Sequence, residues 1–291
     1  MKERIPGIHD LIHLDEVDST NTYAKRIYAA DEDGVATRLC DKSARRYCHI
    51  PVDAVVADEQ TAGRGRLGRV WQSQRGQTLV VTFVAYVPAR VLRELGGGWL
   101  TSICGLACLD VLRELCDKSA RHFCHIEDLQ LKWPNDLYCA GKKLGGILCE
   151  LVPGTATKEE VGVVFGVGTN LLTPPDQLPL LTATSLSAWL RGAVGELPAF
   201  DDLRACLVGE IARELGDFLG QLAELGQAAT DQFLPRLREV SYTLGKRVEV
   251  RRTDGSKVTG VAQDILSDTA LLVRTDAGEG VVVTSGDVGV L

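Results

Sequence analysis

Leu129-Gln-Leu-Lys-Trp133, Asp136-Leu-Tyr-Cys139, Leu144-Gly-Gly-Ile-Leu-Cys-Glu-Leu151 and Val161-Gly-Val-Val-Phe-Gly-Val167 follow one another with short breaks. Each run alternates or stays apolar over strand length, and Gly141 and Pro153-Gly154 supply turn chemistry between them. That pattern predicts a meander rather than βαβ repeats, whose crossovers need a dozen residues or more. Working outward, Trp99, Ile103, Leu106, Ala107, Val111 and Leu115 recur at helical spacing and predict a helix over 98–116 that packs on the sheet. Val52–Asp58 and Leu79–Tyr86 read as further strands, with a Gly-rich loop over 63–76 between them. The expected class is α+β: a mixed, largely antiparallel sheet flanked by helices.

Asp18-Ser19-Thr20-Asn21 offers N-cap residues ahead of Tyr23, Ala24, Ile27 and Tyr28, so a short helix should begin there. Helical segments are expected over about 201–238. Beyond them the character changes to short strands, Lys246–Val250, Lys257–Ile265, Thr269–Arg274 and Gly280–Thr284, separated by Asp254-Gly255, Ser267-Asp268 and Asp276-Ala-Gly278. These predict a small β-barrel, with a boundary near Thr243-Leu-Gly245. The division expected is a larger domain over 1–240 and a small C-terminal barrel over 241–291.

The chain has 291 residues, 45% of them hydrophobic, enough to bury a substantial core. Its net charge of −7 disfavours a general nucleic-acid binder, because the long-range field repels polyanions. The start lacks an apolar stretch after its charges, and the longest apolar-rich run, Thr78–Val87, is about half a membrane span. A cytoplasmic protein with no membrane partner is expected, its nine cysteines reduced.

In this acidic chain, Gly63-Arg-Gly-Arg-Leu-Gly-Arg69 concentrates three arginines on a glycine-rich backbone. Planar guanidinium forks pair with phosphate or carboxylate, and glycine amides add a cradle. Read alone, the loop is equally a basic, flexible segment that touches nucleic acid or water. Ala57-Asp-Glu-Gln-Thr-Ala62 leads into it and Trp71 follows.

With that company the string resembles the biotin–protein ligase family. Asp18-Ser-Thr-Asn21, Lys132-Trp-Pro-Asn-Asp136, Lys143-Leu-Gly-Gly-Ile-Leu-Cys-Glu150 and Gly166-Val-Gly-Thr-Asn170 carry the same likeness, in the same order, over roughly residues 14–291. The resemblance implies a biotin/lipoate ligase-like fold with a C-terminal SH3-like barrel. It also implies an activity: ATP and biotin give biotinyl-5'-AMP and pyrophosphate, and biotin then passes to a lysine of a biotin carboxyl carrier protein. Biotin, ATP and Mg²⁺ are the small molecules implied, and the protein would be a homodimer or a monomer.

By resemblance, Ser19, Thr20, Asn21 and Gln60 face biotin, whose neutral ureido head calls for uncharged polar partners; a buried partner left unpaired costs about 1–3 kcal/mol. Arg64, Gly65 and Arg66 cover biotin and the nucleotide, with Arg69 on the nucleotide side. Trp71 offers a face for adenine, and Asn135, Asp136 and Asn170 lie towards the nucleotide and its metal. Lys143, chosen over Lys142 by its place before Leu144-Gly-Gly, meets biotin's carboxylate and the α-phosphoryl group. Gly145 and Gly146 would let ligand approach closely. Lys143, Arg66 and Asp136 are the expected catalytic residues. Each also has a plain reading: an N-cap for Ser19-Thr20, a packing indole for Trp71, a Pro-Asn-Asp turn for Asn135-Asp136.

Some members of that family carry an N-terminal winged helix that makes them repressors. Here the Ser-Thr-Asn motif begins at residue 19, so no repressor activity is expected. A lipoate ligase shares the adenylate logic without the Gly-Arg-Gly-Arg and Lys-Trp-Pro-Asn-Asp combination.

One feature departs from the resemblance. Leu39-Cys-Asp-Lys-Ser-Ala-Arg-Arg-Tyr-Cys-His-Ile50 recurs as Leu115-Cys-Asp-Lys-Ser-Ala-Arg-His-Phe-Cys-His-Ile126. Cys40, Cys48, His49, Cys116, Cys124 and His125 are zinc-ligand types, yet their spacing matches no zinc signature and six exceed the usual four. No metal site is assigned to them. A duplicated surface insertion, a metal site and a thiol role all stay open.

Overall fold

The computed structural model describes residues 5–29, 49–118, 128–155, 157–189 and 198–291. The greater part of both duplicated segments lies outside these residues. At the end of the first copy, His49 Nδ1 lies 2.8 Å from Asp217 Oδ1, and Ile50 is buried in the main core.

The expected meander lies in one half of a seven-stranded sheet, ordered β1-β2-β3-β7-β6-β5-β4. Its strands are β1 (Leu11–Val17), β2 (Asp53–Gln60), β3 (Thr78–Pro88), β4 (Leu129–Lys132), β5 (Asp136–Cys139), β6 (Lys142–Leu151) and β7 (Glu160–Asn170). β1 runs parallel to β2 and every other pair is antiparallel. The α+β expectation therefore holds, with a parallel edge strand that the sequence reading lacked.

Side-chain parity divides the sheet into two faces, because strand residues alternate. Ala54, Val56, Phe83, Ala85, Val163 and Phe165 join the large apolar core. Three helices cover that side: α3 (Gly98–Lys118), α4 (Phe200–Leu225) and α5 (Gln227–Glu239), with the short α2 (Ala89–Leu95) beside them. α4 and α5 are separated at Gly226, whose φ of +55° an L-residue rarely adopts. Val55, Val84 and Val164 point to the other face and pack under Ala24 and Tyr28 of α1 (Thr20–Ala29). α1 covers only part of that face. Further along the same face, β7 presents Gly166 and Gly168 and β6 presents Gly146, which leaves the floor open.

The C-terminal strands are β8 (Arg247–Arg251), β9 (Lys257–Ile265), β10 (Leu271–Thr275), β11 (Gly280–Val283) and β12 (Asp287–Val290). They form an antiparallel sheet in the order β11-β10-β9-β8-β12. Four were expected within about two residues of their bounds; β12 was not. Among the described residues no pairing joins β11 to β12, the contact that would close a barrel.

This second sheet is tied firmly to the first. Trp99 Nε1 donates to Ser267 O and Trp133 Nε1 to Thr269 O, each at 2.8 Å, so two buried indoles grip one turn. Trp133 N donates to Thr243 Oγ1 at 2.9 Å. Val248, Val250, Leu271 and Val273 belong to the same apolar cluster as the core between the large sheet and its three helices.

An ion network fixes the far end of β2. Asp58 lies 2.5 Å from Arg204 Nη1 and 2.7 Å from His13 Nε2, with Arg75 at 3.2 Å. Burial raises the Asp58 pKa, but the hydrogen bonds from His13 and Arg204 outweigh it and hold it below the ordinary value. The stability it lends is therefore complete above the ordinary carboxylate range and disappears as pH falls through the lowered folded value. Asp58→Asn should cost about 1–2 kcal/mol near neutral pH and much less in acid. Thermal melts of both proteins across pH 3–7 check this; a penalty independent of pH would contradict it.

Candidate active site

A cavity of about 520 Å³ opens on the partly covered face of the sheet. Its polar end is set by the β1–α1 junction, where Ser19, Thr20 and Asn21 are all buried. Thr20 N and Oγ1 donate to Gln60 Oε1 at 2.8 and 3.1 Å, so the amide is oriented with its carbonyl already engaged. Thr82 Oγ1 sits 2.8 Å from Thr20 Oγ1 and 2.7 Å from Asn21 Oδ1. Asn21 Nδ2 completes the web on Leu148 O and Glu150 Oε2, at 3.0 Å each.

Gly166 and Gly168 make this arrangement possible. A Cβ on Gly166 would stand 2.2 Å from Asn21 Oδ1, and one on Gly168 2.5 Å from the Trp71 ring. The Gly-Val-Gly string thus serves two side chains that lie flat on β7. Its period of two was the available signal; the sequence reading took only Asn170 from it.

The arginine loop arches over the cavity and closes on itself. Gly65 N donates to Arg69 O at 2.7 Å and Trp71 N to Gly63 O at 2.9 Å, with Leu67 (φ 55°) and Gly68 (φ 73°) forming the left-handed tip. Arg66 points inward: half-buried, it donates from Nη1 to Asn135 Oδ1 at 3.1 Å. Burial lowers its pKa and the charge of Asp136 opposes that; an arginine remains charged regardless. Arg64 pairs with Glu150 at 3.3 Å, and Arg69 with Asp287 of β12. Leu67 and Val70 are exposed at the rim, as is Leu180 from the segment after β7.

At the centre, Lys143 Nζ lies 2.7 Å from Asp136 Oδ1. The segment after β7 fixes the Lys143 backbone, with Lys143 N donating to Thr182 O and Thr184 N to Lys143 O at 2.8 Å. Asn170 Nδ2 holds the same segment through Thr184 O at 3.0 Å, and Asn135 Nδ2 donates to Ile147 O at 2.8 Å. Trp71 lines the wall with its buried Nε1 unpartnered among the described residues. Lys132 and Asp287 also line the cavity, and neither was read from the sequence as a site residue. Burial lowers the Lys132 pKa against the opposing charges of Asp136 and Asp287. Asp287 is raised by burial and lowered more by Arg69, so it stays below the ordinary value.

All the expected site residues but one line this cavity. The exception is Gly145, which faces the opposite side of β6. A Cβ there would meet Gly168 O at 2.5 Å, so this glycine serves strand packing rather than ligand approach. The neighbouring Gly146 does line the cavity.

Residues 51–170 match the biotin/lipoate A/B protein ligase family, and residues 243–290 match the biotin protein ligase C-terminal domain. The biotin–[acetyl-CoA-carboxylase] ligase of Mycobacterium tuberculosis is 34% identical over 251 residues, 85% of this chain and 83% of that protein. The chain belongs to the biotin–protein ligase family. The corresponding ligase of Paracoccus denitrificans is 30% identical over 233 residues, 78% of this chain and 86% of that protein. In fold, this ligase is similar to a biotin protein ligase from Aquifex aeolicus in complex with biotin and ATP. The TM-score is 0.67 at 24% identity, covering 98% of this chain and 100% of that one. No single helix among the described residues is long and apolar enough to cross a membrane.

Proposed function

We propose that this ligase joins biotin to ATP as biotinyl-5'-AMP in the 520 Å³ cavity and passes the acyl group to a lysine of a biotin carboxyl carrier protein. One observation carries the reading: a single cavity joins an uncharged polar end (Ser19, Thr20, Gln60) to a cationic centre (Arg66, Lys143) and an indole wall (Trp71). A neutral ureido head, a carboxylate and a purine nucleotide need those surroundings in that order.

In the first step, a biotin carboxylate oxygen forms a bond to the α-phosphorus as the bond to pyrophosphate breaks. Reactants and leaving group are all anionic, so preorganised cations lower the barrier most. Lys143 and Arg66 hold that charge, and Asp136 fixes the Lys143 ammonium at 2.7 Å. In the second step, a neutral lysine amine attacks the acyl carbon, an amide forms as the bond to the phosphate oxygen breaks, AMP leaves, and the amine proton is lost to solvent.

The donor set fits a magnesium ion carried by the nucleotide. Among the described residues no three His, Cys, Asp or Glu side chains gather to hold a metal, and magnesium favours one or two carboxylates with phosphates and water. Asp136 would hold it, and it would supply positive charge at the phosphate oxygens.

We assign adenylation to residues 1–240, and read 241–291 as a small SH3-like barrel curled around the bulge between Leu272 and Val273 in the β10–β9 ladder. Five free cysteines among the described residues accord with a reducing cytoplasm.

The test is pyrophosphate release from ATP with biotin, followed by labelling of a carrier domain, with lipoate as competing donor. Release that needs biotin and ignores lipoate supports the reading. Equal use of lipoate, or no release at all, would overturn it.

A further inference from the structure

The three arginines of the 63–69 loop have different partners. All three line the cavity, but Arg66, half-buried where the other two are exposed, reaches inward to Asn135. Arg64, at the entry of the loop, pairs with Glu150 near the end of β6, 3.3 Å away. Arg69, at its exit, pairs with Asp287 on β12 in the C-terminal sheet. Between them, the neck of the loop is short and hydrogen-bonded, with Arg64 and Val70 bridged as in an antiparallel ladder. At its tip Leu67 is exposed, and Arg66 supplies the hold there through Asn135.

We infer that Glu150 and Asp287 are positioning residues which latch this loop shut from its two ends, and that they set how long the ligase retains its acyl-adenylate. The inference rests on the adenylating reading above and deepens it. A cover anchored at one end would pivot about that end; anchoring at both prevents this. The two anchors also differ in kind. Glu150 belongs to the same sheet as the cavity floor, and it is itself fixed by Lys25 at 2.6 Å and by Asn21. Asp287 belongs to the second sheet, so closure of the loop at that end depends on how the C-terminal strands are seated.

Both pairs are partly exposed: Arg64 and Arg69 keep 47% and 59% of their side-chain surface, which puts each pair in the range where salt screens it. An exposed pair of this kind changes an equilibrium by about fivefold at most. The two latches hold one hydrogen-bonded neck, so their effects should couple, and the double variant should release faster than either single variant.

Glu150→Gln and Asp287→Asn keep the shape and remove the charge. Two measurements apply to each variant and to the pair together. One is amide hydrogen exchange over residues 63–71 in ligand-free protein, where Gly65 and Trp71 donate across the neck and Arg69 donates to Arg66 O within the tip. The other is the release rate of preformed biotinyl-5'-AMP in a chase. Faster exchange and about fivefold faster release are expected for each variant. Added potassium chloride should quicken release from the parent more than from the double variant, which keeps only the salt dependence of Arg66 and Lys143. Lys25→Met removes one partner of Glu150 but leaves Asn21 on its Oε2 and Arg64 on its Oε1, so release should stay at the parental rate.

Parental exchange and release in both single variants would overturn the latch. So would equal acceleration by Lys25→Met, which would mean that Glu150 acts through α1, or a raised KM for ATP without faster release. Should the parent form no adenylate, the ligase reading falls, while exchange over 63–71 still decides the latch.

Discussion

Lys143→Ala should lower biotin-dependent pyrophosphate release by two to three orders of magnitude, about the loss found when one preorganised electrostatic donor is removed from a reacting centre. The geometry makes this expectation sharp. The Lys143 ammonium is 30% exposed, paired with Asp136 at 2.7 Å, and its backbone is pinned on both sides by the 182–184 segment. The group is thus held in place before any substrate arrives. Removing it leaves Asp136 facing the incoming anions with a reduced counter-charge, so the loss combines a missing cation with an uncompensated anion. The fold should survive, since the backbone hydrogen bonds that pin Lys143 do not involve its side chain. Circular dichroism and melting point should match the parent. Turnover within tenfold of the parent in a well-folded variant would remove Lys143 from the chemistry.

Arg66→Gly should slow the bond-making step, since one of its two cations is lost, and should also loosen the hold on the intermediate. The substitution deletes the half-buried arginine of the loop, together with its hydrogen bond to Asn135. Hydrogen bonds to a charged group contribute about 1.5–3 kcal/mol, so release of the acyl-adenylate should quicken by roughly one to two orders of magnitude. The escaping mixed anhydride reacts with any neutral amine it meets. The variant should therefore attach biotin to lysines of bystander proteins while modifying the carrier domain more slowly. Mass spectrometry of a bystander such as serum albumin, with and without carrier, measures the effect. If bystander labelling stays at the parental level, Arg66 does not retain the intermediate. Arg64 and Arg69 remain latched in this variant, so it separates the inward arginine from its outward-paired neighbours.

The order of strands β4 to β7 was legible because each is short, apolar and bounded by turn residues, and period two is a strong local signal. β1 was not, because Leu11–Val17 mixes His13, Asp15 and Glu16 among its apolar positions, as an edge strand can. α2 follows Pro88 directly, and seven residues give too little periodicity to register. The cavity was legible to the extent that motifs named its residues. Gly145 was misplaced because a Gly-Gly pair in a strand must send its members to opposite faces, and the motif does not say which faces the ligand. Asp287 and the Arg64–Glu150 pair depend on contacts across 86 to 218 positions of chain, which no local pattern reports, whereas Lys132 opens a motif that was quoted for its Asn135 and Asp136.

The two indoles that grip the turn at 267–269 have a consequence for how the molecule comes apart. Trp99 sits at the head of α3 and Trp133 at the edge of the catalytic meander, yet both spend their N–H groups on the C-terminal sheet. Freeing that sheet would strand two buried donors and expose Val248, Val250, Leu271 and Val273 to water, costing more than so small a sheet could recover by itself. The chain should therefore melt as one cooperative unit, with calorimetric and van't Hoff enthalpies in agreement, despite its two sheets. An earlier, separate transition for residues 241–291 would show that the grip is weaker than its geometry. If the single transition holds, injury to the C-terminal sheet costs the enzyme its whole native state, so lesions far from the cavity would be lost through turnover of unfolded chain before they are lost through chemistry.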